Sequence, residues 1–473
     1  EPGTSPSETD GRNAALRNLV TDTTNTIGAP VRNFTTKNFS PRVGFAWDAT
    51  GNGKTAVRGG FGLLYDLGNM GPSLIIGVTG TKPFASTTSG SGVITVPLTL
   101  PAEGASQRLI DYNMKQPHLL QYNVSVQRQL PWNMLLTAAY AGSRGIELNR
   151  TIEGNPVLPT IQSDGRAFWP SAAAQGLRRN PAFNNIELKT SGGNSWYNAF
   201  QVELLKRLSS GLQFQASYTR SKTISTPMSQ LGTNGGTGVN VFDTNPLYWR
   251  NDRSLADFDA PNVFRFNTIY NLPRSSMKGI AGGMLNGWWM SSIIAVQSGE
   301  PFTVALNSNR SRSGQNAGAA GIDRPDMVSG RTADNIINGT TSGCTGVAAG
   351  RTLDPRTLYF DPCAFALAPQ GFLGNAGRNI LRGPGFANVD FSIVKDTAIP
   401  QLGEAGKLQF RAEIFNIANH VNFGQPGRTV FAGTAAGSGP NLEAPLSTAA
   451  IITNVINPQQ PARQIQFALK LIF

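Results

Sequence analysis

The sequence predicts an all-β fold, an antiparallel transmembrane β-barrel of about 11–12 strands with long extracellular loops and short periplasmic turns. Three observations support this prediction: segments in which apolar and polar residues alternate, connections that alternate between short and long, and a final alternating segment that ends on an aromatic residue. In residues 464–473 every odd position from Ile465 to Phe473 is apolar. A period of two places these side chains on one face of a strand, and about ten residues are enough to cross a bilayer as a tilted strand.

Alternation of this kind recurs in eleven segments, and ten of them follow one another as pairs. The predicted strands are residues 40–48, 55–66, 119–130, 134–142, 197–207, 212–222, 262–271, 288–297, 387–395, 407–416 and 464–473. Single-chain bacterial barrels have an even number of strands. A twelfth strand is therefore expected, either within residues 1–39 or at residues 92–98. Residues 1–39 are otherwise expected to be a loop or partial strand that leads into the barrel at residues 40–473. The alternative is that the chain is incomplete.

Alternate positions define the apolar face of each strand. The first, second, third, sixth and tenth strands carry apolar residues at Val43, Phe45, Trp47; Val57, Phe61, Leu63, Tyr65; Tyr122, Val124, Val126; Leu212, Phe214, Ala216, Tyr218; and Leu408, Phe410, Ala412, Ile414. In the third, sixth and tenth strands the intervening positions are Gln, Asn, Ser, Thr, Arg or Glu. Such strands have one apolar and one hydrated face.

The connections also alternate in length. Most connections within pairs are short turns, such as residues 50–53, 131–133 and 209–211, which are rich in Gly, Pro, Asn and Ser. Connections between pairs are long: residues 67–118, 143–196, 223–261, 298–386 and 417–463. A soluble β-sandwich has the same apolar–polar alternation, but the connection rhythm and strand length favour a membrane barrel.

Aromatic residues gather at the two predicted membrane boundaries. If the C-terminus is periplasmic, Trp and Phe residues fall at the periplasmic strand ends and Tyr residues fall towards the outer ends. The two sets are Trp47, Trp132, Trp288 and Phe473, and Tyr65, Tyr140 and Tyr218. Aromatic girdles of this kind lie at the headgroup level of membrane barrels.

The composition excludes several other classes of protein. Only 14% of the 473 residues are charged, while Gly (53) and Pro (30) are abundant, which favours turns and strands. The net charge is +12, but Lys and Arg are scattered singly, so nucleic acid is not an expected partner. A basic barrel instead suits a membrane of anionic lipopolysaccharide or the guiding of an anionic solute. The first four residues do not form a signal peptide, so we expect that a signal was removed or that the chain is part of something longer.

Several segments resemble the barrel of TonB-dependent outer-membrane transporters, specifically the Oar-like group. The resembling segments are residues 39–47 (FSPRVGFAW), 56–62 (AVRGGFG), 121–127 (QYNVSVQ), 139–145 (AYAGSRG), 297–303 (QSGEPFT), 374–379 (GNAGRN) and 410–416 (FRAEIFN). They span most of the chain in the order found in that family.

The resemblance implies a Gram-negative cell-surface protein in the outer membrane. Members carry a signal peptide, a TonB box and a plug domain inside a barrel of about 22 strands. None of these upstream parts is seen here, so the chain is expected to be the C-terminal barrel portion of such a receptor or a truncated relative. The resemblance also implies that the terminal strand is a tag read by the barrel-assembly machinery, with signal residues Phe473, Leu471, Leu469, Phe467 and Ile465. The expected partners are outer-membrane lipid and lipopolysaccharide, this machinery, and a plug and TonB complex where the full-length protein has them.

No catalytic, cofactor-binding or metal-ligating residue is predicted, and the chain is not expected to be an enzyme. His118 and His420 are the only histidines, which disfavours a histidine-based triad or metal site. Cys344 and Cys363 lie in a Gly- and Thr-rich stretch, where a disulfide is expected in an oxidising compartment, with two free thiols as the alternative. Strand parity predicts that nine polar residues face the lumen: Arg42, Arg58, Gln121, Gln127, Glu203, Arg265, Asp390, Arg411 and Glu413. They either hydrate the lumen or contact a plug or solute.

The expected function is uptake of a bulky nutrient, such as a glycan, peptide or metal chelate, through an outer-membrane receptor. Long loops, above all residues 298–386, are the expected place for ligand capture. One alternative is a non-transporting adhesin or export-related surface protein built on the same barrel. The other is a soluble all-β carbohydrate-binding module or enzyme.

Overall fold

The computed structural model describes residues 37–66, 107–111, 113–170, 178–181, 186–226, 252–313, 323–403, 406–456 and 462–473. Most of this part of the chain belongs to one antiparallel sheet. Its eleven main strands are β1 (Arg42–Asp48), β2 (Thr55–Tyr65), β3 (His118–Leu130), β4 (Met134–Glu153), β5 (Ile186–Ser209), β6 (Leu212–Ser225), β7 (Asn262–Asn271), β8 (Trp288–Gln297), β9 (Phe386–Ala398), β10 (Lys407–Phe415) and β11 (Gln464–Ile472). The strand considered at residues 92–98, and residues 1–36, lie outside the described residues.

Each main strand pairs with the next one along the chain, from β1 to β11, and every one of these pairings is antiparallel. The all-β antiparallel prediction is therefore confirmed. Two short strands extend the sheet: Gln107–Ile110 runs parallel to the start of β5, and Ser254–Leu255 pairs with the end of β6. Within the described part of the chain β1 and β11 each have a single neighbour, so the sheet is open there.

Nine of the eleven strands match their predicted bounds within three residues at each end, but β4 and β5 are longer. They contain 20 and 24 residues, so residues 143–153 and 186–196, assigned above to a loop, form a strand ladder. Register shifts near Gly145 and Leu148 interrupt the regular alternation in this upper part. The prediction was wrong here because a ladder can continue where neither face is uniformly apolar.

The connections form two distinct ends of the sheet, named here the short-turn end and the long-connection end. At the short-turn end, the carboxylate of Asp48 accepts hydrogen bonds from the backbone N–H groups of Thr50, Gly51 and Gly53, the last at 2.7 Å. Gly53 has a φ of 72°, a conformation that glycine adopts without strain. This network fixes the β1–β2 hairpin.

Two of the connections at the short-turn end are longer than the others. Residues 272–287 contain helix α1 (Gly279–Leu285), and residues 399–406 contain the 3₁₀ turn Pro400–Leu402. None of the helices in the described ranges is long and apolar enough to cross a membrane.

The principal hydrophobic core lies at the long-connection end, away from the main strands. We name residues 299–313, 323–385 and 417–456 the cap. Its buried core consists of Phe302, Val304, Leu306, Ile336, Leu358, Phe360, Ala364, Phe365, Leu367, Ala376, Leu381, Val430, Phe431 and Ala450. Connections predicted only as loops are therefore a folded unit.

Short elements organise the cap. The antiparallel pairs are Pro301–Phe302 with Leu381–Arg382 and Asp326–Met327 with Phe365–Ala366, and the parallel pair is Ala305–Leu306 with Thr429–Phe431. Helix α2 (Ala333–Ile337) begins at a capping box formed by Thr332 and Asn335, and a 3₁₀ turn spans Pro362–Ala364. A further small pair, Thr160–Ile161 with Ala167–Phe168, lies in the β4–β5 connection.

Candidate functional site at the long-connection end

The register places all nine predicted lumen residues on one face of the sheet. Paired residues of an antiparallel ladder project to the same side, and neighbours along a strand project to opposite sides. The pairings Arg58 with Ser125, Gln127 with Thr137 and Thr137 with Glu203 carry one face from β2 to β5. We name this face the polar face; it carries Arg42, Arg58, Gln121, Gln127, Glu203, Arg265, Asp390, Arg411 and Glu413.

These residues form separate small networks along the wall and do not converge on one centre. Arg58 donates to Gln127, and Gln215 donates to Glu203 at 2.9 Å. Near β10, Arg411 donates to Gln409 at 2.6 Å, and its guanidinium lies 3.8 Å from the carboxylate of Glu413.

The remaining polar-face candidates occupy three further places. Arg265 donates to Gln297 at 3.2 Å, and the Asp390 carboxylate accepts from Asn388 at 2.9 Å. Arg42 and Gln121 both pair with Gly62 and flank it in one row. The arrangement suits a hydrated wall of polar pairs, some across strands and some within one strand.

The opposite face, named here the apolar face, exposes large hydrophobic side chains. Phe45, Phe467 and Leu469 are 57%, 70% and 68% exposed. Four residues of the predicted assembly signal, Ile465, Phe467, Leu469 and Leu471, lie on this face, and Phe473 follows β11 at the short-turn end. The rings of Phe410 and Phe467 stack across strands with their centroids 6.2 Å apart.

A cavity of about 310 Å³ lies where the polar face meets the cap. Arg265 and Gln297 of the sheet, Glu300 and Gln425 of the cap, and aromatic walls contribute to its lining. The lining residues are Arg265, Gln297, Ser298, Gly299, Glu300, Pro384, Phe386, Phe423, Gly424, Gln425 and Ile456. We name it the cap-floor cavity; polar groups and apolar rings surround it together, as in small-molecule sites.

Glu300 is the acidic group of this cavity. Burial raises the pKa of its carboxyl, and the nearby Asp257 carboxylate raises it further. Its backbone carbonyl accepts hydrogen bonds from Gly383 N–H and, at 3.2 Å, from the Gln425 amide. The β8–β9 connection and the last connection of the chain are thereby held against each other.

Buried ion pairs join the cap to the connection before β7. Asp252 pairs with Arg324 and Asp259 with Arg382. Asp259 is fully buried, and it also accepts a hydrogen bond from the Thr223 N–H of β6 at 2.6 Å. The cap is therefore anchored to the upper end of the sheet.

A disulfide closes a loop inside the cap. The sulfur atoms of Cys344 and Cys363 are 2.07 Å apart. Cys363 lies in the 3₁₀ turn beside the buried Asp361, whose carboxylate accepts from the Cys363 N–H at 3.0 Å. The bond fixes residues 344–363 to the hydrophobic core.

The stability of the cap is expected to depend on pH through Asp323. This carboxylate is buried and accepts from the N–H and hydroxyl of Ser311 at 2.5 and 2.9 Å, with Arg310 and Arg324 nearby. Burial nevertheless raises its pKa from 3.8 to about 6. A folded-state pKa above the unfolded value gives a stabilisation that is full below about pH 4 and is lost as the pH rises through 6. We expect the cap to lose about 1 kcal/mol of stability between pH 5 and pH 7.5 from this group.

Hydrogen exchange of cap amides, corrected for intrinsic pH effects, measures this dependence. Asp323→Asn mimics the protonated form and is expected to flatten the change between pH 5 and pH 7.5. A variant whose cap retains the full pH dependence would show that Asp323 is not its source.

Sequence reasoning missed the cap residues that shape this site. Glu300, Gln425, Asp259 and Arg382 lie in segments without a period, and Glu300 was noted only within the resembling segment at 297–303. A signal existed for two of them, because Glu300 and Gln425 each stand between a glycine and a proline in long connections. In the described ranges no group of three or more His, Cys, Asp or Glu residues could hold a metal ion.

A comparison with protein families gives a match over residues 3–466, to a family described as outer membrane beta barrel domain. Comparison with curated proteins gives no match.

Among solved structures, the outer membrane transporter YddB from Escherichia coli is 12% identical, with a TM-score of 0.43, over 85% of this chain and 39% of that one. The ferric-catecholate import receptor Fiu from E. coli K12 is 9% identical, with a TM-score of 0.37, over 91% and 34%. The siderophore receptor PiuA from Acinetobacter baumannii is 9% identical, with a TM-score of 0.38, over 90% and 35%. The chain thus spans well under half of the length of each of these three structures.

Proposed function

The chain belongs to the outer membrane β-barrel domain family. From this membership we propose that it forms the barrel wall and the cap of a receptor that takes up a bulky nutrient. It lies in the outer membrane. The nutrient is a glycan, a peptide or a metal chelate. Uptake draws energy through a plug and a TonB complex, as implied by the segments that resemble the Oar-like group of TonB-dependent transporters.

In this proposal the apolar face contacts lipid and the polar face lines the water-filled interior. Side chains such as Phe467 and Leu469, 70% and 68% exposed, favour a hydrocarbon environment because contiguous apolar surface is unfavourable in water. The networks of Arg58 with Gln127 and Arg411 with Glu413 need hydration, which a lumen supplies. The short-turn end then faces the periplasm and the cap faces outside.

The observation that carries the proposal is the cap-floor cavity. It lies between the outer end of the polar face and the folded cap, where a ligand leaving the medium would first meet the lumen. Arg265 and Gln425 supply hydrogen-bond donors, and Phe386 and Phe423 supply apolar contact. A mixed lining of this kind suits ligands with both polar groups and rings or alkyl surface.

The test uses the full-length protein in its own host. Strains carrying the wild-type gene, a deletion, or the double variant Arg265→Ala/Gln425→Ala are grown on single limiting sources: defined glycans, peptides or ferric chelates. We expect the deletion to abolish uptake of one class of source, and the double variant to lower the uptake rate of that class about tenfold, because it removes two hydrogen-bonding groups. The matched control is Gln215→Ala, which also removes an amide from the polar face but lies outside the cavity.

Two outcomes contradict the proposal. Equal growth of the deletion strain and the wild type on every source excludes uptake, and loss of surface attachment by that strain would favour the non-transporting adhesin. Equal loss in Gln215→Ala and the double variant would show that the cavity has no special part. Outer-membrane fractions and mobility before and after boiling confirm that each variant has folded.

A further inference from the structure

Four exposed cations lie together on the apolar face at the long-connection end. Arg144 is on β4, Arg220 and Lys222 are on β6, and Arg253 directly precedes the short strand Ser254–Leu255. In the described part of the chain none of the four forms an ion pair with a carboxylate. Among the described residues, the apolar face therefore carries a concentrated positive charge at this height with no carboxylate paired to it.

Aromatic and amide groups hold three of these cations in place. The guanidinium groups of Arg144 and Arg253 lie 5.3 and 4.2 Å from the ring centre of Trp196, one indole serving both. Arg220 donates to the side-chain oxygen of Asn262 at 2.9 Å. A guanidinium has five N–H donors, so most of the Arg220 donors stay available to a ligand.

A tyrosine layer lies directly below the cations. Tyr218 donates to the same Asn262 oxygen at 2.8 Å, and Tyr122 and Tyr140 donate to the Asn198 oxygen at 3.1 and 2.7 Å. Tyrosines whose hydroxyl groups are hydrogen-bonded are typical of the boundary between the hydrocarbon and the headgroups of a membrane.

The height of the cations agrees with this boundary. Arg220 is the eighth residue after Leu212, the first residue of β6 at the short-turn end. A rise of about 3.4 Å per residue and a tilt of about 40° place it about 21 Å above that end, near the top of an apolar band about 25 Å tall. Lys222 and Arg144 lie further up their strands, at headgroup level.

A cavity of about 560 Å³ opens beside the cations. Its polar lining includes Arg220, Lys222 and Asn198, and its apolar lining includes Tyr140 and Phe200. The one carboxylate in the lining, Asp259, is already paired with Arg382. The cavity therefore offers an anion two cations, above an aromatic wall, that pair with no carboxylate of the described residues.

We propose that this patch binds the phosphate groups of a phosphorylated glycolipid of the lipopolysaccharide class in the outer leaflet. Arg220 and Lys222 bind one phosphate in the cavity, Arg144 and Arg253 bind a second phosphate above Trp196, and the acyl chains lie along Phe200. A nucleic acid or an acidic protein would have to displace lipid from Phe200, which is 50% exposed, so a lipid fits the surface better. The proposal rests on the apolar face meeting lipid and is independent of nutrient uptake.

The experiment measures binding of diphosphoryl lipid A to the purified full-length protein in neutral-lipid nanodiscs. The variants are Arg220→Gln/Lys222→Gln and, independently, Arg144→Gln/Arg253→Gln. The matched control is Arg274→Gln/Lys278→Gln, which removes two exposed cations at the short-turn end. Each cation near an anionic surface contributes roughly fivefold in affinity, so we expect each patch variant to bind lipid A about 25-fold more weakly. The control is expected to stay within twofold of the wild type.

The lipid probes and a competitor separate the possible ligands. Lipid A without phosphate is expected to bind no better to the wild type than to the patch variants. Equal affinity of wild type and both patch variants, or equal binding of phosphorylated and phosphate-free lipid A, would overturn the proposal. Displacement of lipid A by a single-stranded oligonucleotide or an acidic peptide that binds more tightly would assign the patch to that class. Each double variant tests the proposal independently. If one of them fails to fold, the other still provides the test.

Discussion

Replacement of Ile294 by Arg is expected to abolish assembly of the protein in the outer membrane, whereas the same replacement of Ile293 is expected to be tolerated. The two isoleucines are neighbours in β8 and project to opposite faces of the sheet. Ile294 pairs with Phe266 and Val389 on the apolar face, about 16 Å above the short-turn end and so well inside the apolar band. An arginine at such a depth on a lipid-facing strand costs about 2–4 kcal/mol.

The replacement of Ile293 makes the same change of side chain, but on the hydrated face of the sheet. Ile293 pairs with Asn267 and Asp390 on the polar face and is 53% exposed. An arginine there lies opposite the Asp390 carboxylate and finds water and a partner charge. The comparison therefore isolates the direction of the side chain from its identity and its position along the strand.

Outer-membrane yield and the change in gel mobility on boiling measure both variants. Ile294→Val, which keeps the face apolar, is the control for any substitution at this position. Equal tolerance of the two arginines would mean that neither face meets hydrocarbon. A larger defect in Ile293→Arg would mean that the polar face is the outer wall.

Asp361→Ala is expected to unfold the cap while leaving the main sheet intact. Asp361 is fully buried, and its carboxylate pairs with Arg331 and accepts from the N–H and hydroxyl of Ser342 at 3.0 and 2.8 Å and from the Cys363 N–H at 3.0 Å. Its removal leaves the largely buried guanidinium of Arg331 and two backbone donors without this acceptor. Loss of one partner of a buried pair costs about 3–5 kcal/mol.

Limited trypsin digestion of the purified protein, followed by mass spectrometry, locates the change. We expect new cleavage between residues 323 and 385, with the boiling-dependent mobility of the sheet preserved. Asp334→Ala is the matched control, because Asp334 is an exposed carboxylate of helix α2 in the same cap. An unchanged digestion pattern, or loss of the sheet together with the cap, would contradict a separately stabilised cap.

Strand positions could be predicted from the sequence because the period of two is imposed by the surroundings. Lys407–Phe415 and Gln464–Ile472 match the predicted ranges within one residue at each end, since alternation runs through nearly all of both strands. The predicted strand stopped at Gly142 in β4, because Arg144, Arg150 and a register shift near Gly145 interrupt the apolar stripe that continues at Ile146, Leu148 and Ile152. A strand ladder requires only backbone hydrogen bonds, whereas an alternating sequence pattern arises only where the two faces of the strand meet different surroundings.

The cap could not be predicted in the same way. Phe302, Leu306, Phe360 and Val430 meet in one core, but they come from short irregular segments with no helical or strand period. Its order comes from contacts between distant segments, which a pattern read along the chain does not show.

The candidate site was predictable only by parity. The period of two assigns Arg58, Gln127, Arg411 and Glu413 to one face, but only the register shows which of them meet. Glu300 carried no pattern, since it stands between Gly299 and Pro301 in a connection.

The parallel pairing of Ala305–Leu306 with Thr429–Phe431 sets an order of events during folding. The two segments are more than a hundred residues apart, and closing so long a loop is slow compared with forming hairpins between consecutive strands. Condensation of the cap must therefore follow the pairing of most consecutive strands of the sheet. Until then, the aromatic side chains of Phe302 and Phe360 stay exposed to solvent. The protein is therefore most vulnerable to aggregation and degradation before the cap has folded.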